Sequence, residues 1–532
     1  MEESEIISRQ TGLEQNDLKP DRIRRTFRVC VIGAGLAGLS AAENLLLWSG
    51  GVGDIDVQVT VLEATERPGG RAVTLPFAGG IVEGGAQYIH GCEGNAVYHR
   101  AKANKLKLIN CVPGFSHYNI HQQDSKRVPS SLISEVSDMY SEVLFRTQAE
   151  SHREERRNCG DETVGAFMMR FFQKYFRATG GSPKEKRTKA NIFRKLVIRE
   201  CCYSACNNLH DLMLADFGEY KEILGNMKFA NGYKEFLDTF LKNIPSETII
   251  FNKPVQTVNW NSEKKEYCQE MPILITCDDG EEYEADYVVV TSSLGYLKEH
   301  ATHMFAPPLP ASKLDLITRM GFGTAGKIWL EYKTPFWTKD WGGLCLVWDK
   351  EPSDIMKDDF KKEEWYMYIT DIERVASNPR LLRVWTCGKA AKYIETLDNT
   401  CVADTLTGIL RQFLNNPAIP APTSILKSQW YSNPYVRGSY SYVAAGSSGA
   451  DIDSLAEPVC MTKADGHTQP IICFAGEATH RTFYSTTHGA MLSGQREAER
   501  IISDICLQSS KLRISEDDGR IRSETQQREN VE

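Results

Sequence analysis

The chain has 532 residues, 41% of them hydrophobic, with 40 glycines and a formal net charge of −8. That length exceeds one ordinary core and predicts two domains, while the acidic balance argues against a nucleic-acid partner. No apolar stretch approaches the roughly 20 residues that span a bilayer, so a membrane-spanning helix is not expected.

Residues 1–25 are polar and mixed in charge, without the apolar centre of an export signal, and are expected to be a disordered tail. The first structural signal is Val29-Cys30-Val31-Ile32, an apolar run closed by Gly33 that reads as a buried parallel strand. Glycines at 33, 35 and 38 then lead into Ala41-Ala42-Glu43-Asn44-Leu45, a helix. In a strand, glycine turn and helix of this kind the first glycine makes the tight turn. The second admits a pyrophosphate, and the third lets the helix lie close on the strand. The helix N-terminus offers free N–H groups to the phosphates. The next strand, Asp56 to Leu62, ends in Glu63, placed to accept from both hydroxyls of an adenosine ribose and to disfavour a 2′-phosphate. Glu63 follows Gly38 by 25 positions, a lag explained by a surface-loop insertion over 50–54. Arg67-Pro68-Gly69-Gly70-Arg71 adds backbone donors and a cation for the same pyrophosphate.

With these residues the chain resembles the flavin-dependent amine oxidases, whose glycine turn, strand-end glutamate and RxGGR string stand in full from Val31 to Arg71. The resemblance implies FAD rather than NAD. It places Gly85, Gln87 and Tyr88 of the glycine-rich segment Gly84–Gly91 close to the isoalloxazine and His90 at the substrate cavity.

From about 130 to 245 apolar residues recur at three- and four-residue steps, as in Val136, Tyr140 and Val143, predicting core-facing helices, one of them capped by Thr163. Charged runs at 152–157 and 184–187 read as solvated faces. Glu200 ends a third helical stripe and is a candidate source of acidity toward a polyamine. Cys201, Cys202 and Cys206 lack the paired spacing of a metal site, and no metal is expected. The fifteen cysteines show no disulfide framework and are expected to be free, buried thiols.

Three strands are predicted across 251–291, with Asp278-Asp279-Gly280 as a hairpin turn. The resemblance assigns the backbone of Val255 to the adenine. Ser293 stands where that family usually has proline. Lys327 interrupts an apolar, glycine-rich strand start, where a charge needs partners; in the family this lysine holds a water against flavin N5, so it is the expected catalytic lysine. Aromatic segments from 330 to 410 are expected to build the second domain's sheet.

By the same resemblance Trp430 lies near the flavin and Tyr440 flanks the reacting carbon. Ser439 occupies the position of the cysteine that carries flavin in covalent members, which implies non-covalent FAD. Glu477 lies near the ribityl chain and pyrophosphate, with Thr486 and Thr487 beneath the pyrimidine end. Thr486 also replaces the second ring of an aromatic cage, a departure that favours a long polyamine over a monoamine. Arg437 to Tyr442, Gly446 to Asp451 and Ser485 to Ala490 place the chain closest to the polyamine oxidase branch, spermine and acetylpolyamine oxidases.

The implied fold class is α/β. A Rossmann-like FAD-binding domain of the GR2 type, from 26–92, 246–300 and 440–507, is interleaved with a mixed α+β substrate-binding domain from 93–245 and 301–439, and a disordered tail covers 508–532. The implied activity is hydride transfer from the carbon beside a secondary amine of spermine to flavin N5, then imine hydrolysis and reduction of O2 to hydrogen peroxide. Lys327, His90 and Tyr440 are the expected catalytic residues, and His90, Glu200, Tyr440 and Thr486 the substrate-binding ones. N1-acetylated polyamines are the second reading and a non-catalytic flavin-binding scaffold the third; histone-tail demethylation would need chromatin-docking insertions that are not visible. The partners expected are a small polyamine and O2, with no nucleic acid and no membrane, in a monomer or weak dimer. The chain ends Asn530-Val531-Glu532 rather than Ser-Lys-Leu, and a cytoplasmic protein with a possible nuclear pool is expected.

Overall fold

The computed structural model describes residues 25–49, 55–111, 118–152, 162–260, 273–351, 359–463 and 465–529. Residues 1–24 of the expected N-terminal tail, the insertion at 50–54 and most of the charged run at 152–157 lie outside them, while Arg25, expected in that tail, opens a strand.

A six-stranded sheet organises the first half of the architecture. Its central strand, Arg25–Ile32, pairs in parallel with Ile55–Leu62 on one side and Tyr287–Val290 on the other. Thr468–Phe474 continues the parallel order beyond Tyr287–Val290, Val459–Thr462 closes that edge antiparallel, and Ile249–Ile250 closes the other. Alternation along the central strand sends its side chains to two cores. Val29 and Val31 join the core built with Leu39 of helix Leu36–Ser49 and Ile501 of the closing helix, whereas Cys30 and Ile32 join the one built with Leu294, Leu455 and Phe474. Strands covered on both faces read as continuous apolar runs, which is how this one reads.

A second six-stranded sheet carries the remainder. Strand Ala325–Glu331 lies between Ser424–Lys427 and Leu381–Cys387, antiparallel to both, with Lys327 opposite Trp385. Helices Ser130–Ser151, Val164–Ala178 and Pro183–Ser204 bury Val136, Phe172, Phe193 and Leu196 against one face. Thr163 caps the second of them, its hydroxyl accepting from the Ala166 N–H at 3.2 Å. Helices Gly388–Thr396 and Asn399–Phe413 cover the other face with Ile394, Leu406 and Leu410. A short pair, Gly321–Gly323 with Tyr440–Tyr442, ties the two halves together beside the site.

Packing moves three expected boundaries. Helices Ala96–Ala103 and Tyr233–Leu241 turn Val97, Ala101, Phe236 and Phe240 into the first sheet's core, so the units do not change hands at 93 and 245 as expected. The closing helix runs from Thr487 to Glu529, through the stretch expected to be a disordered tail. That stretch is rich in Glu, Arg and Gln and has no proline, so its backbone preference is helical. The strand expected from Phe251 begins only at Val255, because Pro254 has no N–H to give a ladder. The cysteines within the described residues are all free as expected, but Cys401, Cys460 and Cys506 are exposed rather than buried. Among the described residues no helix is long and apolar enough to cross a membrane.

Candidate active site

Gly33 takes φ +102, a left-handed conformation that glycine adopts without strain, and its N–H donates to Leu62 O at 2.8 Å. At Gly38 a Cβ would stand 1.9 Å from Gly33 O, so the helix can start this close to the strand only without a side chain. At Gly35 a Cβ would meet nothing within 4 Å. Its open side belongs to a cavity of about 1270 Å³, above the roughly 300–1,000 Å³ of a site for one small ligand. Gly69 lies beside Gly35 in a backbone bridge, its N–H donating to Ala34 O at 2.8 Å, so the Arg67–Arg71 turn runs along the glycine loop.

Every residue expected to bind cofactor or substrate lines this one cavity except Gly38, which is buried in the first turn of helix Leu36–Ser49. The cavity therefore brings Glu63, Arg71 and Val255 together with Gln87, Trp430 and Glu477. At its inner region it also joins Lys327, His90 and Tyr440 to Glu200.

Glu63 is buried, with Oε2 accepting from Ala34 N–H at 2.7 Å and Oε1 from the Thr65 N–H at 3.0 Å and hydroxyl at 2.7 Å. A carboxylate has about four lone-pair sites, so capacity remains for a ribose. Arg71 donates to Ser439 O at 2.9 Å and to Glu477 Oε1 at 2.7 Å. Glu477 Oε2 accepts from the Ser441 hydroxyl at 2.6 Å and the Ser485 N–H at 2.7 Å. Arg71 and Glu477 thus form one polar frame between the two halves of the fold. Thr486 caps the closing helix, its hydroxyl donating to Phe483 O at 2.6 Å and accepting from Gly489 N–H at 3.0 Å. The Thr487 hydroxyl meets the Tyr233 phenol at 3.0 Å. Two helix N-termini, at Leu36 and Thr487, therefore converge on the cavity, an arrangement suited to anionic or electron-rich groups. The Trp430 indole N–H donates to Gly84 O at 3.0 Å.

Lys327 is 5% exposed. Its Nζ donates to Glu83 O at 2.8 Å, Gly85 O at 2.6 Å and Gln87 Oε1 at 3.2 Å, and lies 4.7 Å from the Trp385 ring centroid. Burial pushes its ammonium down to about 7, the neighbouring Arg383 guanidinium adds to the fall, and Glu83 and Glu373 oppose it. His90 opens onto the cavity rather than the outer surface, and burial lowers its imidazole below the usual histidine range. The Tyr440 phenol donates to Cys202 O at 2.7 Å, and burial holds its pKa far above the ordinary tyrosine value. Glu200 is pushed up to about 7 by burial, with the Tyr140 hydroxyl at 3.4 Å opposing the rise and the carboxylate of Glu222 adding to it. Among the described residues no group of three or more His, Cys, Asp and Glu side chains is arranged to hold a metal ion.

Arg383 was not singled out in the sequence. Its Nη1 donates to the same Gln87 Oε1 at 2.7 Å, it is ion-paired with Glu373, and its guanidinium stacks 5.2 Å from the Trp385 ring centroid. The signal that marks Lys327, a charge inside an apolar strand, is also present at Leu381-Leu382-Arg383-Val384.

The flavin containing amine oxidoreductase family model matches residues 36–502. The human peroxisomal N(1)-acetyl-spermine/spermidine oxidase is 35% identical over 90% of this chain and 95% of its own length. A probable polyamine oxidase of Arabidopsis thaliana is 31% identical over 89% of this chain and 98% of its own. Among solved structures, a putrescine oxidase redesigned in its cofactor binding shares the fold, with a TM-score of 0.59 and 18% identity, covering 90% of this chain and all of that one.

Proposed function

This chain belongs to the flavin-containing amine oxidoreductases and is an FAD-dependent amine oxidase, and from that premise we propose that its substrate is spermine. The observation that carries the proposal is a pair of acidic side chains, Glu200 and Glu222, lining the cavity that also holds Lys327 and His90 and close enough for Glu222 to raise the Glu200 carboxyl. Glu222 is exposed where Glu200 is buried, and the repulsion between the two carboxyls is relieved when a cation joins them; a terminal ammonium of a polyamine supplies that cation. An acetamide terminus does not.

The residues present fit FAD. The open side of Gly35 and the helix end beyond it suit the pyrophosphate, Glu63 the ribose, the Val255 backbone the adenine, and Thr486, Thr487 and Trp430 the ring system. Bound flavin supplies hydride acceptance from the carbon beside the amine and return of the electrons to O2. The chain's own residues do the remainder. Neutral His90 is placed to take a proton from the secondary ammonium, the Tyr440 ring flanks the amine, and Lys327 holds a proton at Nζ against the segment 83–87 that borders the flavin position. The balanced outcome is spermine, O2 and water giving spermidine, an aminoaldehyde and hydrogen peroxide.

A peroxide assay across spermine, spermidine and N1-acetylspermine, with products identified by mass, tests this. Highest kcat/KM on spermine is expected. A preference for N1-acetylspermine would instead support the second reading, which the 35% identity to the human acetylpolyamine enzyme favours. No turnover with a bound, chemically reducible flavin would leave a scaffold.

FAD is held without a covalent link in this proposal. The Ser439 hydroxyl donates to Ala325 O and accepts from Ala325 N–H, both at 2.9 Å, and offers no thiol to the ring. Acid precipitation is expected to leave a white pellet and a yellow supernatant; flavin retained in the pellet would contradict it. The free cysteines of the described residues support action in a reducing compartment, the cytoplasm.

A further inference from the structure

Lys327 Nζ has three oxygen acceptors at 2.6, 2.8 and 3.2 Å. A neutral amine has two N–H donors and an ammonium has three, so this geometry is that of the charged form. Yet the side chain is buried, and Arg383 donates to the same Gln87 oxygen. A charged lysine beside a charged arginine away from water requires a compensating anion. The groups facing Lys327 are Arg383, Glu83, Glu373 and the Cys202 thiol, together with the Trp385 and Trp329 rings. Glu373 is committed to Arg383 and to the Tyr118 hydroxyl. Glu83 is not committed in that way. Its Oε1 accepts from the Thr74 hydroxyl at 2.7 Å and the Tyr233 N–H at 3.2 Å, and its Oε2 is buried with no hydrogen-bond partner.

We propose that Glu83 is a positioning residue of this site, whose carboxylate is the countercharge that keeps Lys327 an ammonium and whose main-chain carbonyl aims it. Thr74 and Tyr233 hold that carboxylate in place, and the Tyr233 phenol reaches on to Tyr88 O at 2.9 Å and to the Thr487 hydroxyl, so the frame extends to the N-terminus of the closing helix. Burial raises Glu83 as it lowers Lys327, and the charge of each opposes the shift of the other. The consequence for catalysis rests on the proposed place of Lys327 beside the flavin.

The test follows the visible absorbance of the FAD-loaded protein across the neutral pH range, which reads the charge near the ring without turnover. The wild-type spectrum is expected to shift with a midpoint near 7, the value to which burial brings Lys327. Lys327→Met abolishes that shift. Glu83→Gln keeps it but lowers its midpoint by about one unit, a tenfold change in the ratio of the two forms at fixed pH, and Glu83→Asp restores it toward wild type. A role confined to stability would lower yield or melting temperature and leave the midpoint in place. If Glu83→Gln does not accumulate as folded protein, Thr74→Val, which withdraws a donor from the carboxylate, must move the midpoint in the same direction. An unchanged midpoint in Glu83→Gln, or in Thr74→Val where that variant stands in, while Lys327→Met removes the shift, overturns the assignment of Glu83 alone. A shift that survives in Lys327→Met overturns it together with the reading of Lys327.

Discussion

Lys327→Met leaves the protein yellow and slows flavin reduction by substrate, or reoxidation by O2, on the order of 10²-fold, the low end of what one positioned proton-transfer group contributes. Methionine has nearly the length of lysine, so the strand Ala325–Glu331 keeps its packing between its two neighbours. What is lost is the donor to Glu83 O, Gly85 O and Gln87 Oε1, three acceptors on the segment that borders the proposed flavin site. Leaving a buried acceptor without a donor costs about 1–3 kcal/mol, offset here because an ammonium no longer has to be desolvated. FAD retention is therefore expected to change little, and the loss to fall on the chemical steps. Stopped-flow absorbance resolves the two half-reactions; if both rates match wild type, Lys327 has no part in them.

The second large effect is on cofactor retention. Glu63→Ala is expected to weaken FAD binding about 10- to 100-fold, corresponding to the roughly 1.5–3 kcal/mol of a hydrogen bond to a charged group. The carboxylate holds Ala34 N–H, inside the glycine turn, and Thr65 N–H and hydroxyl just past the strand end. Removing it loosens the turn at the proposed pyrophosphate position and deletes the proposed ribose acceptor together. Glu63→Gln separates the two effects: its amide oxygen can keep one of these bonds, so its loss of affinity is smaller. Fluorescence of flavin released on dilution measures both variants, and a Glu63→Ala protein that retains FAD as well as wild type would remove the ribose assignment.

The sequence makes the glycine turn legible because each glycine answers a steric demand that is local: a positive φ at Gly33, a blocked Cβ at Gly38, an open side at Gly35. Lys327 was legible for a different local reason, a charge in an apolar strand. Ser293, noted as a departure from proline, turns out to cap helix Leu294–Met304 by accepting from Tyr296 N–H at 3.0 Å while donating to Val436 O at 2.7 Å. Arg383 carries the same local mark as Lys327, but what it does there, like what Glu83 does, depends on partners that only packing brings close: Gln87 lies 296 residues from Arg383 and Lys327 lies 244 from Glu83. The same long-range packing decided which core took helices Ala96–Ala103 and Tyr233–Leu241. Their apolar stripes predict burial but carry no mark of the sheet they bury against. The closing helix past residue 508 departs from expectation for the opposite reason: its polar composition matches that of a disordered tail, but its helix propensity prevails.

The most direct test of the account is anaerobic mixing of the purified, FAD-loaded protein with spermine. The account predicts rapid bleaching of the flavin's visible absorbance, one flavin reduced per amine oxidised, with colour and peroxide appearing when O2 is admitted. A flavin that stays oxidised with spermine and every other polyamine, yet bleaches with dithionite, would contradict it.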